Sequence, residues 1–234
     1  MKLTIPLVSL AGIAVSQAAV FSSGELDFGV ILEGGELELE AHVVSGVVNG
    51  AQTDDVEFEA SELQVLAGAN LKVLAATNLP AAGVNTGDDL WILPQSQAAG
   101  VPYVALASEE LTAGDWSSAI TFTLGSVTSP SGNGTFSMWT NDGLGNPTFF
   151  FSSTNPGGTD DNNQFVSNFS HDHVNWGFNE PGEWFVDLTA TGMHNTLGAL
   201  SATETLSFTV IPEPSSTLLA GLSLIGLVAR RRSK

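Results

Sequence analysis

The stretch ELELEAHVV, residues 36–44, decides the fold of this chain, because its polar and apolar residues alternate from Glu36 to Val43. Alternate residues of an extended strand share a face, and this alternation indicates a strand with one buried face. The face predicted to be buried carries Leu37, Leu39, Ala41 and Val43. The face predicted to be exposed carries Glu36, Glu38, Glu40 and His42. Gly34 and Gly35 come directly before this strand and predict a tight hairpin to an earlier strand over residues 26–32.

Strand-like segments continue along the chain, with turn signals between them, such as NDG at 141–143 and EPG at 180–182. Residues 61–77 are the ambiguous stretch, since their Ala and Leu content permits a short helix. Many short strands with regular turns predict an all-β fold, an antiparallel β-sandwich of the Ig-like kind. Further strands are predicted at 101–106, 119–127, 134–139, 148–152, 174–178, 183–191 and 203–210.

The N-terminus has the layout of a signal peptide. Lys2 precedes an apolar run over residues 3–15, and Ser16 and Ala18 place small residues at the −3 and −1 positions of a cleavage site. We expect signal peptidase to cleave after Ala18. The predicted organisation is therefore a signal peptide at 1–18, a β-sandwich domain at 19–211 and a C-terminal segment at 212–234.

The C-terminal segment has three parts in order: Pro212-Glu213-Pro214, an apolar run over 217–229, and a basic end, RRRSK. The apolar run has 13 residues, whereas a helix that spans a bilayer needs about 20. The basic end is expected to stay on the cytoplasmic side of the membrane. We predict an apolar C-terminal helix that enters the membrane, and an ordinary single transmembrane anchor is the alternative.

This tail resembles the PEP-CTERM sorting signal of Gram-negative bacteria over about residues 210–234. The resemblance implies that an exosortase-type membrane transpeptidase recognises the tail and cleaves near Pro-Glu-Pro. It also implies delivery to the cell surface, the outer envelope or the extracellular matrix. Membrane contact would then be made through the C-terminal helix before processing.

Charge is distributed unevenly along the chain. Five of the six basic residues lie in the two end segments, which leaves Lys72 against 24 acids in residues 19–211 and a net charge of −23 with histidines neutral. Such a surface repels nucleic acid, so no nucleic-acid partner is expected. It attracts cations, and plain solubility is the alternative explanation. Cysteine is absent, which excludes thiol catalysis, disulfides and cysteine-type zinc sites.

Two of the four histidines, His171 and His173, stand at positions i and i+2. In an extended segment both side chains leave the same side of the chain, about 6 to 7 Å apart at Cα. Their ring nitrogens could then converge on one zinc, copper or nickel ion. Two surface histidines beside a loop are the alternative. His194, two residues after Gly192, is expected to be a loop residue without a partner.

Residues 171–186 resemble a motif of bacterial surface-anchored proteins, His-x-His-x-Asn-Trp-x-Phe followed by Pro-Gly and an aromatic strand. Most of residues 22–190 resembles the choice-of-anchor M domain, at GELDFGV (24–30), GELEL (35–39), WILPQSQ (91–97) and GVPY (100–103). The resemblance implies a surface protein linked to zinc or manganese uptake and to zinc-responsive control.

The chain departs from the pattern of this family at two places. The family has a histidine after the opening glycine and a His-x-His at the end of the second strand, where this chain has Glu25, then Glu40 and His42. Carboxylates also bind zinc and manganese, so the altered site is still a candidate. The alternative is decay to a structural relic. The expected ligands are His171, His173, His42, Glu40 and Glu25.

Two functions therefore remain open. The first is an exported surface protein with a divalent transition-metal site, zinc being the leading metal. The second is a structural or adhesive protein of the extracellular matrix without metal, which would bind matrix polysaccharide. We do not expect an enzyme, because the chain has no Gly-x-Ser-x-Gly, no His-Glu-x-x-His and no phosphate-binding glycine loop.

Overall fold

The structure is a computed structural model that describes residues 18–154 and 163–213. The predicted C-terminal apolar helix, and all but the last residue of the predicted signal peptide, lie outside the described residues. The described part contains fifteen strands and four short 3-10 turns, and it has no α-helix. No helix in it is long and apolar enough to cross a membrane.

The strands follow one another along the chain with short connections. In order they are β1 (Ala19–Glu33), β2 (Glu36–Val48), β3 (Ala51–Glu59), β4 (Leu63–Ala67), β5 (Lys72–Leu74), β6 (Asp89–Leu93), β7 (Pro102–Ala107), β8 (Ile120–Thr128), β9 (Phe136–Asn141), β10 (Pro147–Ser152), β11 (Gln164–Ser167), β12 (His171–His173), β13 (Asn175–Phe178), β14 (Gly182–His194) and β15 (Gly198–Val210). The 3-10 turns are Ala60–Glu62, Ala69–Leu71, Pro80–Ala82 and Ala113–Asp115.

These strands form two sheets. The larger has the order β11-β8-β14-β15-β4-β1-β2-β3, with β7 paired to β1 and β12 paired to β7. The smaller has the order β10-β9-β13-β6-β5. Most neighbours are antiparallel, as predicted, but β4 is parallel to both β1 and β15, and β7 is parallel to β1.

Aromatic side chains from the two sheets meet in the core. Phe28 of β1 and Phe208 of β15 come from the larger sheet, and Trp176 of β13 comes from the smaller one. The Trp176 ring lies 5.8 Å from Phe28 and 5.7 Å from Phe208, and all three side chains are buried. Burying side chains of this size is a main source of stability. The predicted all-β sandwich is confirmed.

The alternation of polar and apolar residues predicted for this stretch is present in β2. Leu37, Leu39, Ala41 and Val43 are buried, and the residues between them are exposed or half-buried. The ambiguous residues 61–77 form no α-helix; β4 and β5 occupy most of this region, with the three-residue 3-10 turn Ala69–Leu71 between them. Strand β4 lies between β1 and β15, and every second residue of it is buried: Leu63, Val65 and Ala67. Pairing on both edges outweighs the weak helix propensity of the segment.

Candidate metal centre

Two histidines and two carboxylates converge on the outer face of the larger sheet. They are Glu25 and Asp27 of β1 with His171 and His173 of β12. One ligand atom from each of the four residues lies within 4.8 Å of the others. Glu25 and Asp27 alternate with the core residues Leu26 and Phe28, so the cluster faces away from the core.

Strand β7 lies between β1 and β12 and sets the register of the cluster. Ala105 pairs with Asp27 on one side and with His173 on the other. Ala107 pairs with Gly29 and with His171 in the same way. Because paired residues share a face and alanine side chains are small, the long side chains of β1 and β12 can meet above β7.

Three donor atoms form the tightest part of the cluster. His171 Nε2 lies 2.7 Å from His173 Nε2 and 3.5 Å from Glu25 Oε1, and His173 Nε2 lies 3.3 Å from the same Glu25 oxygen. Four ligands around zinc, at zinc–ligand distances near 2.1 Å, are separated from one another by about 3.4 Å. The two distances to Glu25 match this value, and the two imidazoles need to separate slightly to admit an ion.

The other nitrogen of His171 faces two carboxylates. His171 Nδ1 lies 3.3 Å from Asp27 Oδ2 and 3.2 Å from Glu109 Oε1. A carboxylate that accepts the second N–H of a histidine ligand fixes the ring orientation and raises its basicity. Asp27 and Glu109 can therefore orient His171 while its Nε2 faces the other donors.

Asp27 is buried although one of its carboxylate oxygens has no hydrogen-bond partner among the described residues. The residue is 4% exposed, and its Oδ1 atom has no hydrogen-bond partner among the described residues. Burial of an acceptor without a partner is unfavourable. A cation that neutralises the cluster would offset this cost, so the orphaned oxygen favours a ligand at this place.

Tyr103 covers one side of the cluster. This β7 residue pairs with Glu25, and its ring stacks on His173 with a centroid distance of 3.3 Å and an angle of 10°. Stacking restricts rotation of the His173 imidazole and keeps its Nε2 directed at His171. The buried Nδ1 of His173 makes no well-formed hydrogen bond to the described residues.

The protonation states follow from burial. Burial raises the pKa of Asp27 to about 6, and nearby His171 opposes this rise. Burial, and then the charge of His171, lower the pKa of His173. His173 is therefore neutral at pH 7, which is the form that binds metal.

The sequence-predicted ligands divide into two groups. Glu25, His171 and His173 belong to the cluster, whereas His42 and Glu40 share its face of the sheet but lie on β2. His42 is paired with Asp27 across the strands, yet its Nε2 lies 3.1 Å from Asp55 Oδ1 and its Nδ1 lies 3.8 Å from Glu110 Oε1.

Glu40 lies opposite Gly29 on the neighbouring strand. Partial burial, and then the neighbouring Glu57 and Glu110, raise the pKa of its carboxyl. Neither Glu40 nor His42 belongs to the group of converging donor atoms found in the described residues.

The expectation that His194 is a loop residue without a partner is wrong. His194 ends β14 and is 9% exposed. Its Nδ1 accepts hydrogen bonds from the backbone N–H groups of Thr196 and Leu197, both at 3.2 Å. Its ring packs edge-on against Trp116 at 5.2 Å. His194 therefore stabilises the turn between β14 and β15.

Sequence reasoning missed Asp27 and Glu109. Asp27 follows Glu25 by two residues, and the alternation applied to β2 would have placed both acids on one face of β1. Glu109 follows β7 and carried no comparable signal. Its approach to His171 depends on how β7 and β12 pair.

Comparison with known proteins adds one finding about the C-terminus. Residues 210–232 match the family model described as the PEP-CTERM protein-sorting motif. No curated protein and no solved structure matches the chain. The resemblance to the choice-of-anchor M domain is therefore not shown.

The fold and the cluster define an all-β, sandwich-like domain with a group of donors suited to a metal ion. The matched motif defines the chain further as an exported, envelope-associated protein that carries a PEP-CTERM signal for processing by an exosortase.

Proposed function

We propose that this protein binds a divalent transition metal, zinc first, at the surface of a Gram-negative bacterium. The ligands are Glu25, His171 and His173, with Asp27 as fourth ligand or as the group that orients His171. The observation that carries this proposal is the convergence of His171 Nε2, His173 Nε2 and Glu25 Oε1 beside a buried carboxylate oxygen without a partner.

The chemistry of the donors supports zinc. Two imidazole nitrogens with carboxylate oxygens form a mixed set that zinc accepts, whereas calcium and magnesium favour oxygen ligands alone. The resemblance to the choice-of-anchor M domain, which implies a link to zinc or manganese, agrees with this assignment. Glu25 stands where that family has a histidine, so the proposed site is an altered form of the family site.

In the same proposal, both ends of the chain direct export and sorting of the domain between them. Signal peptidase removes residues 1–18, residues 19–211 form the mature domain, and residues 212–234 are the sorting segment. The mature domain reaches the cell surface or the extracellular matrix and captures metal there. It is a binding protein and not an enzyme.

The test is metal content of the purified mature protein, followed by titration of the metal-free protein with zinc. We expect one zinc per chain, and we expect the double variant His171→Ala, His173→Ala to lose it. Glu25→Gln should weaken binding at least tenfold, whereas Glu57→Gln removes an equal charge from β3 and should leave binding unchanged.

A wild-type protein that stays folded and takes up no zinc, manganese or copper would refute the proposal. The alternative, a structural or adhesive matrix protein without metal, would then become the leading function. Retention on matrix polysaccharide that is insensitive to chelator and to both histidine substitutions would support it.

A further inference from the structure

The first residues of the sorting motif are attached to the folded domain. The motif begins at Val210, the last residue of β15. Ile211 continues the pairing with β4, since its N–H donates to the Ala67 carbonyl at 2.9 Å. The Trp91 indole N–H of β6 donates to the Ile211 carbonyl at 3.0 Å. Both backbone groups of Ile211 are thus held by the domain.

The glutamate of Pro-Glu-Pro contacts the only Lys or Arg residue of the described chain. Lys72 of β5 has its Nζ 3.5 Å from Glu213 Oε2 and 3.1 Å from the Asp89 carboxylate. The ammonium group also lies 6.0 Å from the centre of the Trp91 ring. The side chain of Lys72 is 20% exposed, whereas that of Glu213 is 58% exposed.

The acidic charge of the domain favours the Glu213 carboxylate at Lys72 over other places on the surface. Lys72 is the only lysine or arginine in residues 19–211, against 24 acids. A carboxylate near this surface is therefore repelled almost everywhere except beside Lys72. Asp89 already hydrogen-bonds Lys72 and raises its pKa, so Asp89 and Glu213 share one cation.

We propose that the folded domain restrains its own sorting signal, and that Glu213 must leave Lys72 before the exosortase can read the Pro-Glu-Pro sequence. An enzyme that recognises this glutamate competes with Lys72 for the same carboxylate. A substrate whose competent state is only partly populated has a reduced apparent affinity. The contact requires β4, β5 and β6 in place, so folding of the domain slows removal of the tail.

The experiment follows tail removal by pulse-chase in a bacterium that expresses the exosortase. Because an exposed ion pair contributes little, we expect Lys72→Met to be processed about two- to fivefold faster than wild type. Lys72→Glu repels Glu213 and should be processed at least as fast. Asp89→Asn removes the negative charge that competes with Glu213 for Lys72. The Lys72–Glu213 ion pair should then be stronger and processing slower.

Gln52→Glu on the exposed strand β3 is the matched control, because it changes the net charge by the same amount as Lys72→Met. It should be processed at the wild-type rate. Thermal unfolding of each purified variant checks that the domain remains folded, which separates release of the motif from loss of the fold.

Amide hydrogen exchange at Ile211 in the purified full chain gives a second readout that does not require the enzyme. We expect Lys72→Met to raise this exchange rate about two- to fivefold, and Gln52→Glu to leave it unchanged. The inference is wrong if Ile211 exchange is the same in Lys72→Met and wild type. It is equally wrong if Lys72→Met and Gln52→Glu are processed at one rate. Neither readout depends on metal at Glu25 and His171.

Discussion

At the scale of one residue, Asp27 is unfavourable for stability. The carboxyl group is buried, one oxygen has no partner, and its pKa is raised to about 6. A neutral residue of the same size would suit this environment better in the metal-free protein. The proposed metal site would explain this position, because a bound cation would compensate the buried carboxylate.

We expect Asp27→Asn to stabilise the metal-free protein at pH 7 while weakening zinc binding at least tenfold. The folded-state pKa of about 6 exceeds the ordinary value of 3.8. The folded protein thus holds the Asp27 proton more tightly, and stability is lost as pH rises from about 4 to 6. The substitution should raise the free energy of unfolding by about 1–3 kcal/mol at pH 7.

Urea unfolding with chelator present, at pH 4 and at pH 7, measures this effect. The gain should be much smaller at pH 4, where Asp27 is protonated in the folded state and only partly ionised in the unfolded state. An equal gain at both pH values would show that ionisation of Asp27 is not its source. Glu57→Gln, on exposed β3, serves as the control.

Tyr103 leads to a second prediction at the residue scale. Its ring stacks on His173, and groups that orient a metal ligand commonly contribute tenfold or more to affinity. We expect Tyr103→Ala to weaken zinc binding about tenfold and Tyr103→Phe to preserve it, because phenylalanine keeps the ring. Titration calorimetry distinguishes them, and equal affinities for Ala and Phe would contradict the orienting role.

At the scale of elements, β7 acts as the spacer of the site. Its Ala105 lies between Asp27 and His173 and is fully buried on the outer face, outside the hydrophobic core cluster. We expect Ala105→Leu to fill the space in which the donors meet and to weaken zinc binding more than tenfold. Overpacking costs about 1–3 kcal/mol, so the fold should survive.

Circular dichroism and zinc titration check this prediction. Ala199→Val, on an exposed position of β15, is the control for added bulk on the same sheet. Wild-type affinity in Ala105→Leu would show that the donors do not converge above β7.

The link between β6 and β13 is a second property of the elements. Asn175 accepts the Gln95 backbone N–H at 3.0 Å, and its amide donates to Gln95 Oε1 at 2.8 Å. Gln95 follows β6 and Asn175 begins β13, so these hydrogen bonds join two segments that are 80 residues apart in sequence. The pair fixes the segment directly after His173, so it supports the site from the smaller sheet.

We expect Asn175→Ala to destabilise the protein by about 1–3 kcal/mol, because it leaves the part-buried backbone N–H of Gln95 without its acceptor and removes one of the two hydrogen bonds to Gln95 Oε1. Chemical unfolding measures the change. Asn195→Ala removes an exposed amide that donates to the Gly114 carbonyl and should cost less. Equal losses in both variants would argue against a special role for the Gln95–Asn175 pair.

At the scale of the whole molecule, the site joins distant parts of the chain. Glu25 and His173 are 148 residues apart in sequence. A metal held between β1 and β12 therefore binds the folded state and not the unfolded chain. We expect zinc at one hundred times its Kd to raise the free energy of unfolding by about 2.7 kcal/mol.

Thermal unfolding with zinc and with chelator measures this stabilisation. The increase in Tm should disappear in His171→Ala, His173→Ala and persist in Glu57→Gln. A zinc-dependent increase that survives loss of both histidines would place the metal elsewhere.

The sequence by itself determined the features that depend on local patterns. Alternation in residues 36–44 and regular turns predicted the all-β class, and the C-terminal residues predicted the sorting motif. The i, i+2 spacing placed His171 and His173 on one side of β12, where their Nε2 atoms meet. The signal peptide and the domain boundaries remain predictions of the same local kind.

Only the tertiary structure decided which distant residues meet. Asp27 and Glu109 approach His171 because β7 separates β1 from β12, and Glu213 reaches Lys72 because β15 lies beside β4. These contacts depend on strand order and register, which long-range pairing and burial determine. A pattern confined to neighbouring residues does not contain that information. Glu40 and His42 were predicted as ligands, and they are not among the converging donor atoms of the described residues.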